Sequence, residues 1–216
     1  MAEVRASSLI DGVVHVSPVV HTDGRGVFVE TFRQEWVPGS RPMVQANRAD
    51  RVAGSVVGLH YHLHQADYWY VPSGLVRVVL HDLRSGSPTE GSTACFDLGG
   101  PGDGSDAGVH GGVYIPPGVA HGFAALTDAT ITYLVDAYYD PADELGVAWG
   151  DPEIAADWGL GSLAPVLSER DLANPRAADI PDEICPVWAP TGSDPGVSLS
   201  DQLTPDESTT EGGPGL

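Results

Sequence analysis

Basic residues are scarce in this chain: Lys and Arg together number ten against thirty Asp and Glu, a formal net charge of −20. A field of that sign repels polyanions, which excludes nucleic acid as a partner and leaves any anionic ligand to a few local arginines. Cysteine is scarcer still. Cys95 and Cys185 lie far apart with no CxxC spacing, so neither a disulfide framework nor a zinc ribbon is available, and both are expected as buried free thiols. No apolar run approaches the roughly 20 residues that cross a bilayer. The opening "MAEVRASSLIDGVVHV" has no basic region leading into a long apolar core, so a cytoplasmic protein with no membrane partner is expected. Helical periodicity is nearly missing too, and only "EIAADW" and "LSERDLA" invite short helices.

What the chain does have is strand signal. Runs such as "GVVHVSPVV", "GVFVETF", "YWYVPSGLVRVVLHDL", "GVYIPP" and "TITYLVDAYY" recur between Gly, Pro and Asp punctuation. With no helices to cover them, the apolar faces must pack on one another, and the spacing predicts an all-β jelly roll. The glycine-rich "GGPGDGSDAGVHGG", residues 99–112, is expected as a flexible loop. Beyond Trp188 the chain turns acidic, rich in Pro, Gly and Ser and almost free of aliphatics. This divides it into one domain over residues 1–189 and a disordered tail over 190–216.

The segment "GSVVGLHYHLHQADYWYVPSG", residues 54–74, sets three histidines on alternate positions. On a strand His60, His62 and His64 would share one face, with Leu59, Tyr61 and Leu63 on the other. A lone strand histidine is more often structural than chemical, but three together favour a site. Tyr133 and Tyr139, six apart in the "TITYLVDAYY" run, would likewise point to one side with Ile131 and Val135.

Residues 54–74 resemble the first motif of cupins, with glycine, His60, His62, Asp67 in place of the usual glutamate, and Gly74 at the motif spacing. "GGVYIPPGVAHGF" resembles the second motif through Pro116, Gly118 and His121. Within that superfamily the chain is similar to the dTDP-4-dehydrorhamnose 3,5-epimerase family over roughly residues 10–175, a span of one ordinary domain. The ordered pieces "DGRGVFVETF", "VQAN", "GLHY", "LRSGSPTEG", "YIPPGVAHGF", "YLVDAYYDPADE", "WGDPEIAADW" and "LSERD" carry the likeness. The resemblance implies a cupin-type double-stranded β-helix acting on a nucleotide-linked 4-keto-6-deoxysugar, with a dTDP-sugar as small-molecule substrate, no cofactor, and a homodimeric assembly. By motif position His60 would be the base, Asp171 its orienting carboxylate and Tyr133 the acid. Arg25, Gln45, Asn47, His121, Tyr139 and Arg170 would surround the substrate, the arginines as diphosphate clamps.

The chain also departs from that family. Val57 stands where an arginine is usual, His62 where a glutamine is usual, and Asp67 where a lysine is usual. An aspartate beside a developing enolate opposes it unless neutralised. The same departures suggest a second reading, a metal-dependent cupin oxygenase or isomerase. There His60, His62, Asp67 and His121 would hold Fe, Mn, Ni or Zn. An imidazole lone pair given to a metal cannot also take a proton, so the two readings compete for His60. A third reading is a non-catalytic sugar-binding cupin.

Overall fold

The structure is a computed structural model and describes residues 1–37, 39–99 and 110–190. Residues 191–216, and with them nearly all of the expected tail, lie outside the described residues, as do residues 100–109 of the expected loop. The described chain forms thirteen strands. They are β1 (Glu3–Ala6), β2 (Val14–Ser17), β3 (Val20–Asp23), β4 (Gly26–Val29), β5 (Gln45–Arg51), β6 (Val56–Tyr61) and β7 (Asp67–Ser73). After these come β8 (Leu75–Asp82), β9 (Thr93–Gly99), β10 (Gly112–Ile115), β11 (Val119–Ala125), β12 (Ala129–Val135) and β13 (Leu145–Gly146).

Two antiparallel sheets run in the orders β1-β2-β10-β7-β12-β5 and β13-β6-β11-β8-β9, with β3–β4 as a separate hairpin. Strands remote in sequence are neighbours in space, which is the wrapping of a cupin-type jelly roll. Alternation builds its layers. β7 sends Trp69 and Val71 into the central core with Leu80, Phe123 and Ile131. Its Tyr68 and Tyr70 point the other way and pack with Val16, Trp36 and Val37. A third cluster sets Leu59, Tyr61 and Ala120 beneath Ile154 and Trp158 of the C-terminal segment. Strands buried on both faces read as continuous apolar runs, which explains the sequence of β7 and β8.

Of the two expected helices, "LSERDLA" yields α1 (Glu169–Leu172), capped by Ser168, whose side chain accepts from the Asp171 N–H. "EIAADW" is a turn rather than a helix. Ala155 sits at φ 51°, Asp151 takes the N–H groups of Glu153 and Ala177, and burial of Ile154 and Trp158 fixes the path. The thiols also depart from expectation: Cys95 is exposed on the edge strand β9, and Cys185 is half-buried. Among the described residues no helix is long and apolar enough to cross a membrane.

Two local features position the rest. In "LRSGSPTEG" the buried Arg84 guanidinium bonds Asp82 at 2.7 Å and the Asp11 carbonyl at 2.7 Å, while Ser87 and Thr89 donate to Asp82. Trp188 donates to the Asp11 carboxylate at 2.9 Å and to the Ser85 carbonyl at 3.0 Å, so this turn ties together segments from both ends of the domain. The second feature is a bulge. Across β6 and β11, His121 pairs with His60 but Phe123 pairs with Val57, two steps on one strand against three on the other. Gly58, at φ 103°, absorbs the extra residue, and a Cβ there would lie 2.7 Å from the His121 carbonyl oxygen.

Candidate active site

The bulge decides which way His60 faces. Val57 packs against the central core, and Leu59 and Tyr61 join the outer cluster, as the sequence spacing predicts for the latter two. His60 returns to the inner face directly across from His121. There its Nε2 lies 2.6 Å from Asp171 Oδ1. The carboxylate accepts the Nε2–H and leaves Nδ1 with the lone pair. Burial pushes the Asp171 carboxyl up, but the bond and charge of His60, with Ser168 and the Gly58 N–H, outweigh it and hold the group below its ordinary range.

His62 and His121 stack obliquely with ring centroids 5.2 Å apart, and the Trp69 indole meets His121 edge-on at 5.3 Å. Each ring fixes one nitrogen on a backbone carbonyl: His62 Nδ1 on Asp143 at 2.8 Å and His121 Nδ1 on Val119 at 2.9 Å. Asp67, buried at the start of β7, accepts from Gln65 and from the Trp69 indole, each at 2.9 Å. His62, Asp67 and His121 offer ligand atoms that all lie within 4.8 Å of one another. His60 is not in that group, so among the described residues the four-residue metal set expected from the sequence reduces to three. Burial drives the His121 imidazole well below its ordinary pKa, so it is neutral at pH 7.

Tyr133 pairs with Trp69 and with Asn47, half-buried on the inner face of β12. Burial raises its phenol, and the charges of Asp67 and Glu144 raise it further, so it carries its proton at neutral pH. Gln45 and Asn47 face inward on β5, joined by a 3.0 Å hydrogen bond. Arg170, next to Asp171 on α1, bonds Glu144 at 3.3 Å through its side chain and 2.9 Å through its carbonyl.

Three expectations are corrected. β6 ends at Tyr61, so His64 does not share a face with His60 and His62 but is exposed in the turn before β7. β12 ends at Val135, so Tyr139 is not on the Tyr133 strand; it is 64 % exposed, with only its backbone N–H near Gln45. Arg25 sits at the tip of the β3–β4 hairpin, 91 % exposed and paired with Asp23, outside this cluster. The sequence reading in turn missed Trp69, Asp143 and Glu144. The last two stand in "DPADE", and their only signal was an acidic pair following the tyrosine strand.

An imidazole oriented by a carboxylate and a phenol that keeps its proton, both inside one jelly roll, are groups suited to proton transfer. A family model described as dTDP-4-dehydrorhamnose 3,5-epimerase matches residues 7–179, and the chain belongs to this family of carbohydrate epimerases. It is 40 % identical over 164 residues to the dTDP-4-dehydrorhamnose 3,5-epimerase of Neisseria gonorrhoeae, covering 73 % of this chain and 48 % of that one, so it spans about half that relative's length. It is 39 % identical over 170 residues to a dTDP-4-dehydrorhamnose 3-epimerase of Streptomyces niveus, covering 75 % and 78 % of the two chains. Among solved structures, the dTDP-6-deoxy-D-glucose-3,5-epimerase of Legionella pneumophila, in complex with dTDP-4-keto-L-rhamnose, superposes with a TM-score of 0.79 at 31 % identity, covering 88 % of this chain and all of that one.

Proposed function

We propose that the chain inverts one or both carbons beside the ketone of a dTDP-linked 4-keto-6-deoxyhexose, by proton transfer between His60 and Tyr133. The 2.6 Å bond of His60 to Asp171 carries this reading, because it leaves Nδ1 as a base and stabilises the imidazolium that forms. His60 Nδ1 removes the proton beside the ketone, the C–H electron pair becomes the enolate, and Tyr133 delivers its hydroxyl proton to the opposite face. Solvent restores both groups. Only protons are exchanged, and the sugar keeps its oxidation level. Gln45, Asn47 and Arg170 hold the substrate. The oxygenase and the non-catalytic readings gain nothing from this arrangement, since each leaves the His60–Asp171 pair without a role.

The working unit is a cytoplasmic homodimer. The β3–β4 hairpin exposes Val20, Val27 and Phe28, the last at 70 %, and β1 is an edge strand exposed throughout, so both ask for cover. Arg25 contacts substrate only if its hairpin packs against a second copy.

Deuterium exchange from solvent into a dTDP-4-keto-6-deoxyhexose tests the chemistry. His60→Ala should lower exchange by about 10²- to 10⁴-fold. Tyr133→Phe should still exchange while accumulating no inverted product. Absence of exchange by the wild-type chain, with any such sugar and under any metal condition, would refute the epimerase reading.

A further inference from the structure

We propose that His62, Asp67 and His121 form a divalent transition-metal site whose ion bears the enolate charge, while His60 remains the base. The electrophile role rests on the epimerase reading above; the site itself does not. Both rings donate Nδ1–H to backbone carbonyls, of Asp143 and Val119, which fixes the tautomer with the lone pair on Nε2. Neither Nε2 has a hydrogen-bond partner among the described residues. Orientation of a ligating histidine through its other nitrogen is the usual supporting arrangement of metal sites. The third group is held as firmly, since Gln65 and Trp69 each fix one Asp67 oxygen. All three residues are buried, and their ligand atoms lie within 4.8 Å of one another. Closing onto an ion at roughly 2.0–2.1 Å asks for side-chain shifts of about 1 Å. Two imidazoles and one carboxylate leave positions open for a substrate oxygen.

Charge gives the ion a purpose. The chain contains no lysine, and all ten basic residues are arginine. Among the described residues the ion-pair neighbour of Asp67 is His121, at 4.0 Å. An enolate oxygen forming between His60 and Tyr133 would therefore face the carboxylates of Asp67 and Glu144, whose charges already bear on the Tyr133 phenol. A divalent ion ligated by Asp67 offsets the charge of the two carboxylates and, placed at the enolate oxygen, takes up the electron pair's charge as the C–H bond breaks. The ion's own oxidation state does not change. His60 lies outside the group of ligand atoms and keeps its own carboxylate partner, so base and ligands do not compete for a nitrogen.

The full-length chain, made without a histidine tag and stripped with chelator, should bind Zn(II) or Co(II) at one ion per chain, with Co(II) giving a visible ligand-field absorption. His62→Gln and Asp67→Asn should each weaken binding by at least about 100-fold, while His60→Ala keeps the ion and loses exchange. Stripped wild-type protein should exchange deuterium about 10²- to 10³-fold more slowly, the effect of one lost oxyanion partner, and recover on adding metal. Failure of Zn(II), Co(II), Mn(II) and Ni(II) alike to bind at micromolar concentration would overturn the site. Binding with exchange unaffected by stripping would overturn the electrophile role. Stoichiometric binding with no exchange under any condition would support the site and remove the epimerase reading instead.

Discussion

Asp171 acts only through His60, so its loss should be visible in rate before it is visible in binding. Asp171→Asn is expected to slow deuterium exchange by about 10²-fold with little change in KM for the sugar. Its carboxyl is raised by burial and lowered more strongly by His60, Ser168 and Gly58, ending below the ordinary 3.8. A depressed carboxyl stabilises the fold above its ordinary pKa, and that stability is lost as pH falls through the lowered value. The melting temperatures of wild type and Asp171→Asn should thus differ above the ordinary carboxyl range and converge as pH falls through the lowered value; a constant offset would argue against a carboxylate bonded to His60. At this scale, His60, His121, Tyr133 and Asp171 could be located from motif positions. The places of His64 and Tyr139 could not, because period-two reasoning holds only within a strand, and both residues lie just past a strand end.

Elements were legible where both faces are apolar. β7, β8 and β12 announce themselves, whereas β5, "QANRADR", alternates half-buried Gln45, Asn47, Ala49 and Arg51 with exposed Ala46, Arg48 and Asp50 and carries almost no hydrophobic signal. "EIAADW" misled because its apolar residues sit at helical spacing, yet they are buried by tertiary contacts around a left-handed Ala155. The bulge in β6 was invisible, since nothing in "VVGLHY" says that three steps on one strand will match two on another. Gly58→Ala tests it: strain at φ 103° and the 2.7 Å approach to the His121 carbonyl should cost about 1–3 kcal/mol and displace His60. Chemical denaturation would measure the first, and deuterium exchange the second. Ile131→Ala, emptying a fully buried position of the central core, should cost about 2–5 kcal/mol without altering the His60–Asp171 pair.

For the whole molecule, the acidic balance and the shape of the chain point to different partners: charge turns nucleic acid away, while the apolar hairpin invites a second copy. Light scattering at micromolar concentration should give about twice the 22.6 kDa chain mass. Phe28→Asp should shift that mass toward one chain, and a monomeric wild type would contradict the assembly. The jelly roll followed from the lack of helices, but the closure of the domain did not, because it runs through contacts 177 residues apart. The turn around Arg84 cannot be completed by its own neighbourhood. It waits for Asp11 and for Trp188, which follows Asp11 by 177 residues. On a ribosome the N-terminal segment and this turn are synthesised long before Trp188 exists. Closing so long a loop is slow and entropically costly, and contacts of this separation form late. The order of events is thus written into one buried guanidinium: the barrel can begin to wrap as its strands emerge, but its two ends are fastened only after almost the whole domain has been made.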